Sequence, residues 1–101
     1  MKRLEFEITI SDLVGNITVK NVYGYCIEYG KYKFGLHKSF NHWNITELST
    51  GAYICTGLKR MKDAIPWLDD NGELLNKLPE ILNSERGQKL KRAMHNYRLS
   101  N

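Results

Sequence analysis

Residues 42–65, HWNITELSTGAYICTGLKRMKDAI, decide the fold. Trp43, Ile45 and Glu47 alternate with Asn44, Thr46 and Leu48, the period-two pattern of a strand. Ser49-Thr50-Gly51 breaks that run. Ala52 to Thr56 is a second strand, rich in β-branched and aromatic residues, and Gly57 ends it. The apolar period then changes from two to about 3.6, through Met61, Ala64, Ile65 and Leu68, which marks a helix. A hairpin feeding a helix can begin a core locally, and the flanking chain is read as packing onto it.

Upstream, Leu4, Phe6, Ile8 and Ile10 alternate with Glu5, Glu7 and Thr9, a half-buried strand. Ser11-Asp12 breaks it and Gly15-Asn16 offers a turn. Ile17 to Lys20 then reads as a second strand, hairpin-paired with the first. A third strand, Tyr23 to Tyr29, puts Tyr23, Tyr25, Ile27 and Tyr29 on one face. Gly30-Lys31 turns the chain into a short fourth strand, Tyr32 to His37, and residues 38–41 form a loop.

Downstream, Pro66 either ends the first helix at Ile65 or opens a new turn from a first helical position. Asp69-Asp70-Asn71-Gly72 is a break. Glu73 to Leu78 predicts a short helix stopped by Pro79. Ser84 is the N-cap of a last helix from Glu85 to about Arg98, with an apolar stripe of Leu90, Ala93, Met94 and Tyr97. Strands first and helices after them indicate α+β: an N-terminal antiparallel sheet of five or six strands, with the C-terminal helices packed on one face. The 101 residues make one domain, mainly strands over 1–58 and mainly helices over 59–101.

Composition narrows the function classes. An apolar fraction of 42% and a charged fraction of 26% are those of an ordinary globular domain with a core of its own. No stretch reaches the roughly 18 apolar residues of a membrane helix, and the N-terminus lacks the pattern of a signal peptide, so a cytoplasmic protein with no membrane contact is expected. Cys26 and Cys55 are expected as buried thiols. The net charge of +4 is unevenly placed. Residues 1–83 hold ten Lys/Arg and ten Asp/Glu, whereas residues 84–101 hold Arg86, Lys89, Lys91, Arg92 and Arg98 against Glu85 alone.

Catalytic signals are weak. His37 and His42 do not match a zinc or metalloprotease spacing, and neither cysteine sits in a C-x-x-C pair. Glu28 and Glu47 are polar members of alternating strands, where a solvated charge is normal. No catalytic, cofactor-binding or metal-binding residue is assigned, and no enzyme is expected. Binding signals are stronger. Lys91, Arg92, His95 and Arg98, with Lys89 at the margin, lie opposite the apolar stripe of the last helix, an electrostatic footprint for phosphates or an acidic surface. Trp67, Trp43, Tyr53 and Phe40 are large residues near loops or element ends, of the kind enriched at binding hot spots, and equally suited to lidding a core. Trp67 joins the basic residues in the expected partner-binding set. The tyrosines of the sheet suit either base stacking or a position beneath a helix with hydroxyls at the rim.

One resemblance rests on His37, Lys38, Trp43, Ile45, Thr46, Thr50, Gly51, Gly57, Lys59, Arg60, Lys62, Ala64 and Ile65. Their order resembles a pattern in small proteins encoded by phages and mobile elements of Gram-positive bacteria: "HK", then "W-x-[VI]-T-x-x-x-T-G", a strand, a Gly, a Lys/Arg-rich turn and "A-I". It covers roughly a third of the chain. It implies a hairpin–helix core and not a chemistry, and related gene neighbourhoods include regulators and counter-defence proteins such as anti-CRISPR and anti-restriction factors. HicB-type antitoxins share a sheet leading into a helix, but their usual spacing is missing here. The expectation is a non-enzymatic binding protein that inhibits or modulates a nucleic-acid-handling host protein or complex by occlusion. The alternative is a direct DNA- or RNA-binding module using the basic last helix.

Overall fold

The computed structural model describes residues 3–100. The reading of Met1-Lys2 as the start of an N-terminus without a signal-peptide pattern lies outside the described residues. Five strands, β1 (Arg3–Ser11), β2 (Ile17–Tyr29), β3 (Tyr32–Ser39), β4 (His42–Glu47) and β5 (Ala52–Leu58), form one antiparallel meander in the order β1-β2-β3-β4-β5. A 3₁₀ turn (Met61–Asp63) leads into α1 (Ala64–Asp70), α2 (Gly72–Leu82) and α3 (Glu85–Ser100). The α+β architecture, sheet first and helices after, is the expected one. The two strands expected over 17–20 and 23–29 are a single strand, because Asn21 and Val22 keep the ladder going opposite Glu7 and Phe6.

Register sorts the side chains. Ile27 faces Phe34, and Tyr25 faces Leu36, which in turn faces Ile45, so these share one side of the sheet. That side is covered by Ala64, Leu68, Leu75 and Leu78 from α1 and α2, and together they form the main core. The other side is closed by curvature. The sheet curls until the Thr9 N–H donates to the Gly51 carbonyl at 2.8 Å and the Thr9 hydroxyl to the Thr50 carbonyl at 3.0 Å. Inside the curl Phe6 lies over Gly35, where a Cβ would come within 2.6 Å of its ring. At Gly24 a Cβ would meet the Leu36 carbonyl oxygen at 1.9 Å, so only glycine permits this approach of β2 to β3.

Irregularities in β5 have a packing purpose. Thr46 pairs with Tyr53 and Ile45 with Cys55, which leaves Ile54 as an extra residue in β5. This bulge lets Ile54 and Cys55, neighbours in sequence, both pack against the helix-covered core.

Both prolines sit inside helices. Pro66 is the third residue of α1, where the N–H it lacks would have no helical partner. Pro79 was expected to stop its helix at Leu78, and instead α2 runs through it to Leu82. The ring removes the N–H that would bond the Leu75 carbonyl four residues back. The Tyr32 hydroxyl, on β3, donates to that carbonyl at 3.2 Å. A partner 43 positions away in sequence thus satisfies the group that the proline leaves open.

This substitution of one donor for another has a measurable signature. Tyr32→Phe is expected to lower stability by about 1 kcal/mol in urea denaturation. In a Pro79→Ala background the loss shrinks, because the backbone N–H restored by the alanine can reach the same carbonyl. Strict additivity of the two substitutions would contradict the assignment.

Candidate partner-binding surface

The basic residues depend on how α3 is seated. Ser84 caps it as expected, its hydroxyl accepting from the Gly87 N–H at 3.2 Å. Gly87 lets α3 start hard against the end of α2, since a Cβ there would lie 2.4 Å from the Leu82 carbonyl oxygen. Leu90 and Met94 are buried, while Ala93 and Tyr97 are half-buried, so the apolar stripe faces inward as read from the spacing. Two arginines then tie the helix to β1. The Arg98 Nε donates to both Glu7 carboxylate oxygens at 2.9 Å, and Nη2 adds a 2.5 Å contact to one of them. Glu7 holds the Arg98 guanidinium protonated to still higher pH. The Arg86 Nη2 donates to the Ser11 hydroxyl at 2.5 Å.

The expected partner-binding set is therefore divided. Lys89, Arg92 and His95 are exposed and Lys91 is half-buried. Among the described residues Lys89, Lys91 and Arg92 have no ion-pair partner. Arg98 is committed to Glu7 and works as a clamp. Trp67 lies apart on α1, half-buried against the main core. Lys89 and Arg92, with Asn96, border a shallow depression whose opposite wall is Gly15, Asn16 and Ile17. The turn beside it is fixed by Asp12, whose carboxylate accepts from the backbone N–H groups of Val14 (3.0 Å) and Asn16 (2.8 Å). The Asn16 N–H above all holds that carboxyl below its usual range. The turn displays Leu13 and Val14 in solvent.

Three features escape sequence reasoning. The first is Glu47, expected to be solvated and found buried. One of its carboxylate oxygens accepts the Ser49 hydroxyl (2.7 Å), the Thr50 N–H (3.0 Å) and the Thr50 hydroxyl (3.0 Å), and the other accepts the Ser49 N–H (3.0 Å). The hydroxyl pair Ser49-Thr50 shortly after an acidic residue was the available signal. The second is a cleft of about 470 Å³ between the β1 and β5 ends and α2–α3, lined by Ile54, Leu78, Leu82 and Leu90, with Glu47 and Arg86 at its polar parts. The third is His37, buried inside the curl between Phe6 and Tyr53. Its Nε2 lies 3.4 Å from the Tyr53 hydroxyl, and its Nδ1 has no hydrogen-bond partner among the described residues. Burial, and secondarily the charge of Lys20, push its pKa down.

The tyrosines fall mostly beneath the helices. The Tyr29 hydroxyl donates to Asp69, and Tyr32 reaches α2 as described. Tyr23 alone stays largely exposed, with Arg3 over its ring. Among the described residues no group of three or more His, Cys, Asp or Glu could hold a metal ion, and no helix is long and apolar enough to cross a membrane. No protein-family model, curated protein or solved structure matches the chain.

The burial of His37 sets a pH dependence. A histidine with a depressed native pKa contributes full stability above its unfolded value of 6.5, and the contribution is lost as pH falls toward the native pKa. The melting temperature should therefore drop between about pH 7.5 and about pH 5, and His37→Phe should flatten the drop. Equal slopes for the two proteins would place the titration elsewhere.

Proposed function

We propose that the chain is a non-enzymatic binding protein of a phage or mobile element, which inhibits or modulates a nucleic-acid-handling host protein or complex by occlusion, in the manner of anti-CRISPR or anti-restriction factors. It acts in the cytoplasm. The observation that carries the reading is the division of labour on α3. Arg86 and Arg98 hold the helix to β1, while Lys89, Lys91 and Arg92 have no ion-pair partner among the described residues, on a helix that is capped and packed. A preformed helix has no backbone left to order on binding, and its cations steer an acidic surface toward it. The mobile-element setting comes from the resemblance of residues 37–65.

Direct binding of DNA or RNA is the second reading. It is favoured by the open depression in which Lys89 and Arg92 stand beside Asn16 and Asn96. Salt separates the two. Three cations on duplex phosphates give a log–log salt slope of about −2.7, whereas all five basic residues of the helix would give about −4.5. An occluding protein ignores bare duplex and keeps its protein partner after nuclease treatment.

The test is the triple reversal Lys89→Glu, Lys91→Glu, Arg92→Glu, with Arg98 left intact because a carboxylate there would oppose Glu7. The fold should survive, since Lys89 and Arg92 are exposed, the half-buried Lys91 has no ion pair to lose among the described residues, and surface charges contribute roughly 0–1 kcal/mol each. Association with the nuclease-resistant partner should slow, most strongly at low ionic strength. Unchanged association at low salt would remove α3 from the interface.

A further inference from the structure

The turn between β3 and β4 is built against its own sequence. Phe40 and Asn41 form a two-residue hairpin loop in which both have positive φ, 51° and 68°. Hairpin turns of this hand favour Asn-Gly or Asp-Gly, and a bulky residue at positive φ is an outlier that costs free energy. The cost brings no packing in return, because Phe40 is 96% exposed. A contact of 3.2 Å between the His42 Nδ1 and the Phe40 carbonyl oxygen ties the loop down. The ring is therefore held out on a short, stiff support.

Its surroundings are polar and cationic. Lys38 stands two residues before it and His42 two after, and both are exposed. Trp43 pairs with Lys38 on one side and Leu58 on the other, so Lys59, also exposed, leaves β5 at this same end of the sheet. Arg60 follows, paired with Asp63. The aromatic anchors of protein interfaces sit within a wider apolar patch that excludes water. The immediate neighbours of Phe40 in the turn are Ser39 and Asn41, followed by Lys38 on one side and His42 on the other. An exposed ring at the same end of the sheet as Lys38 and Lys59 matches the way unpaired bases are held: the ring stacks on a base, and the lysines meet the flanking phosphates. Duplex bases are already stacked on each other, so the match is to single strands.

We propose that the β3–β4 turn is a contact site for single-stranded nucleic acid, with Phe40 as the stacking platform and Lys38 and Lys59 on the phosphates. It uses none of the α3 residues and stands or falls apart from the reading of that helix.

The test uses the full chain and fluorescence anisotropy with labelled 15-nucleotide oligo-dT, oligo-rU and a 15-base-pair duplex, at about 50 mM and about 200 mM salt. Wild type should bind a single strand saturably at low salt, more tightly than the duplex. The dT and rU arms tell DNA from RNA. Phe40→Ala should weaken single-strand binding about tenfold or more, and Phe40→Trp should keep it. Lys38→Glu with Lys59→Glu should weaken it and flatten its salt dependence. Phe40→Asn provides the separation: asparagine accepts positive φ, so this variant should melt at a higher temperature than wild type while binding as poorly as Phe40→Ala. No saturable single-strand binding by wild type at low salt, duplex preferred to single strand, or equal affinity for Phe40→Ala and wild type would each overturn the proposal.

Discussion

The fold depends on how the β4–β5 turn is tied to β1. Glu47 spends its carboxylate on Ser49 and Thr50, and its own carbonyl accepts from the Gly51 N–H at 2.9 Å. The turn so fixed offers two carbonyls in a row, those of Thr50 and Gly51, and Thr9 meets both, with its hydroxyl and its N–H. Without this tie the five-stranded meander has two separate edges and one open face. With it the sheet curls, and Ile8 and Thr46 become fully buried. Burying a carboxyl group is costly unless hydrogen bonds replace its water, and four such bonds do so here.

The helices inherit their places from that closure. Gly51 lies where a Cβ would be 3.1 Å from the Met94 sulfur, so the turn that closes the sheet is also a seat for α3. Arg86 and Arg98 then fasten the helix to the two ends of a stretch of β1, at Ser11 and Glu7. Further along, the hydroxyls of Tyr29 and Tyr32 bond α1 and α2 from below. The side of the sheet that carries the helices is therefore held by polar groups at its margins and by the Ile27–Phe34–Leu36–Ile45 cluster at its centre.

What was legible in the sequence was local. The alternation of Leu4, Phe6 and Ile8, the cap at Ser84 and the stripe Leu90–Met94 each act within a few residues and appear where their period or chemistry puts them. The expected alternation fails at its last step, where Ile10 is exposed and Thr9 is buried by its bonds to the β4–β5 turn. What was not legible involves partners far along the chain. The alternation of Asn44 and Thr46 with Trp43 and Ile45 does not show that both sides of β4 are covered, and these two polar residues are buried because the far side of the sheet is the inside of a curl. Pro79 looked like a helix stop because nothing near it shows that Tyr32 serves the orphaned carbonyl. Arg98 looked like part of a free basic face, and its acceptor is Glu7, 91 positions away. The candidate surface was half legible for the same reason. The excess charge could be located from the sequence, but which cations are committed to the fold could not. The positive φ of Phe40 was hidden because the residue carries no turn signal of its own.

Thr9 lies in an edge strand, and its N–H turns away from β2 toward Gly51. An edge amide without a partner exchanges its hydrogen quickly, whereas one inside a cooperative unit exchanges only when that unit opens. Native-state hydrogen exchange at this one amide is the most direct test of the closure. Protection of the Thr9 amide comparable to that of Phe34 at the sheet centre is the predicted result. Exchange at the rate of an open sheet edge would contradict the account, because the sheet would then not be closed where the seating of α3 requires it.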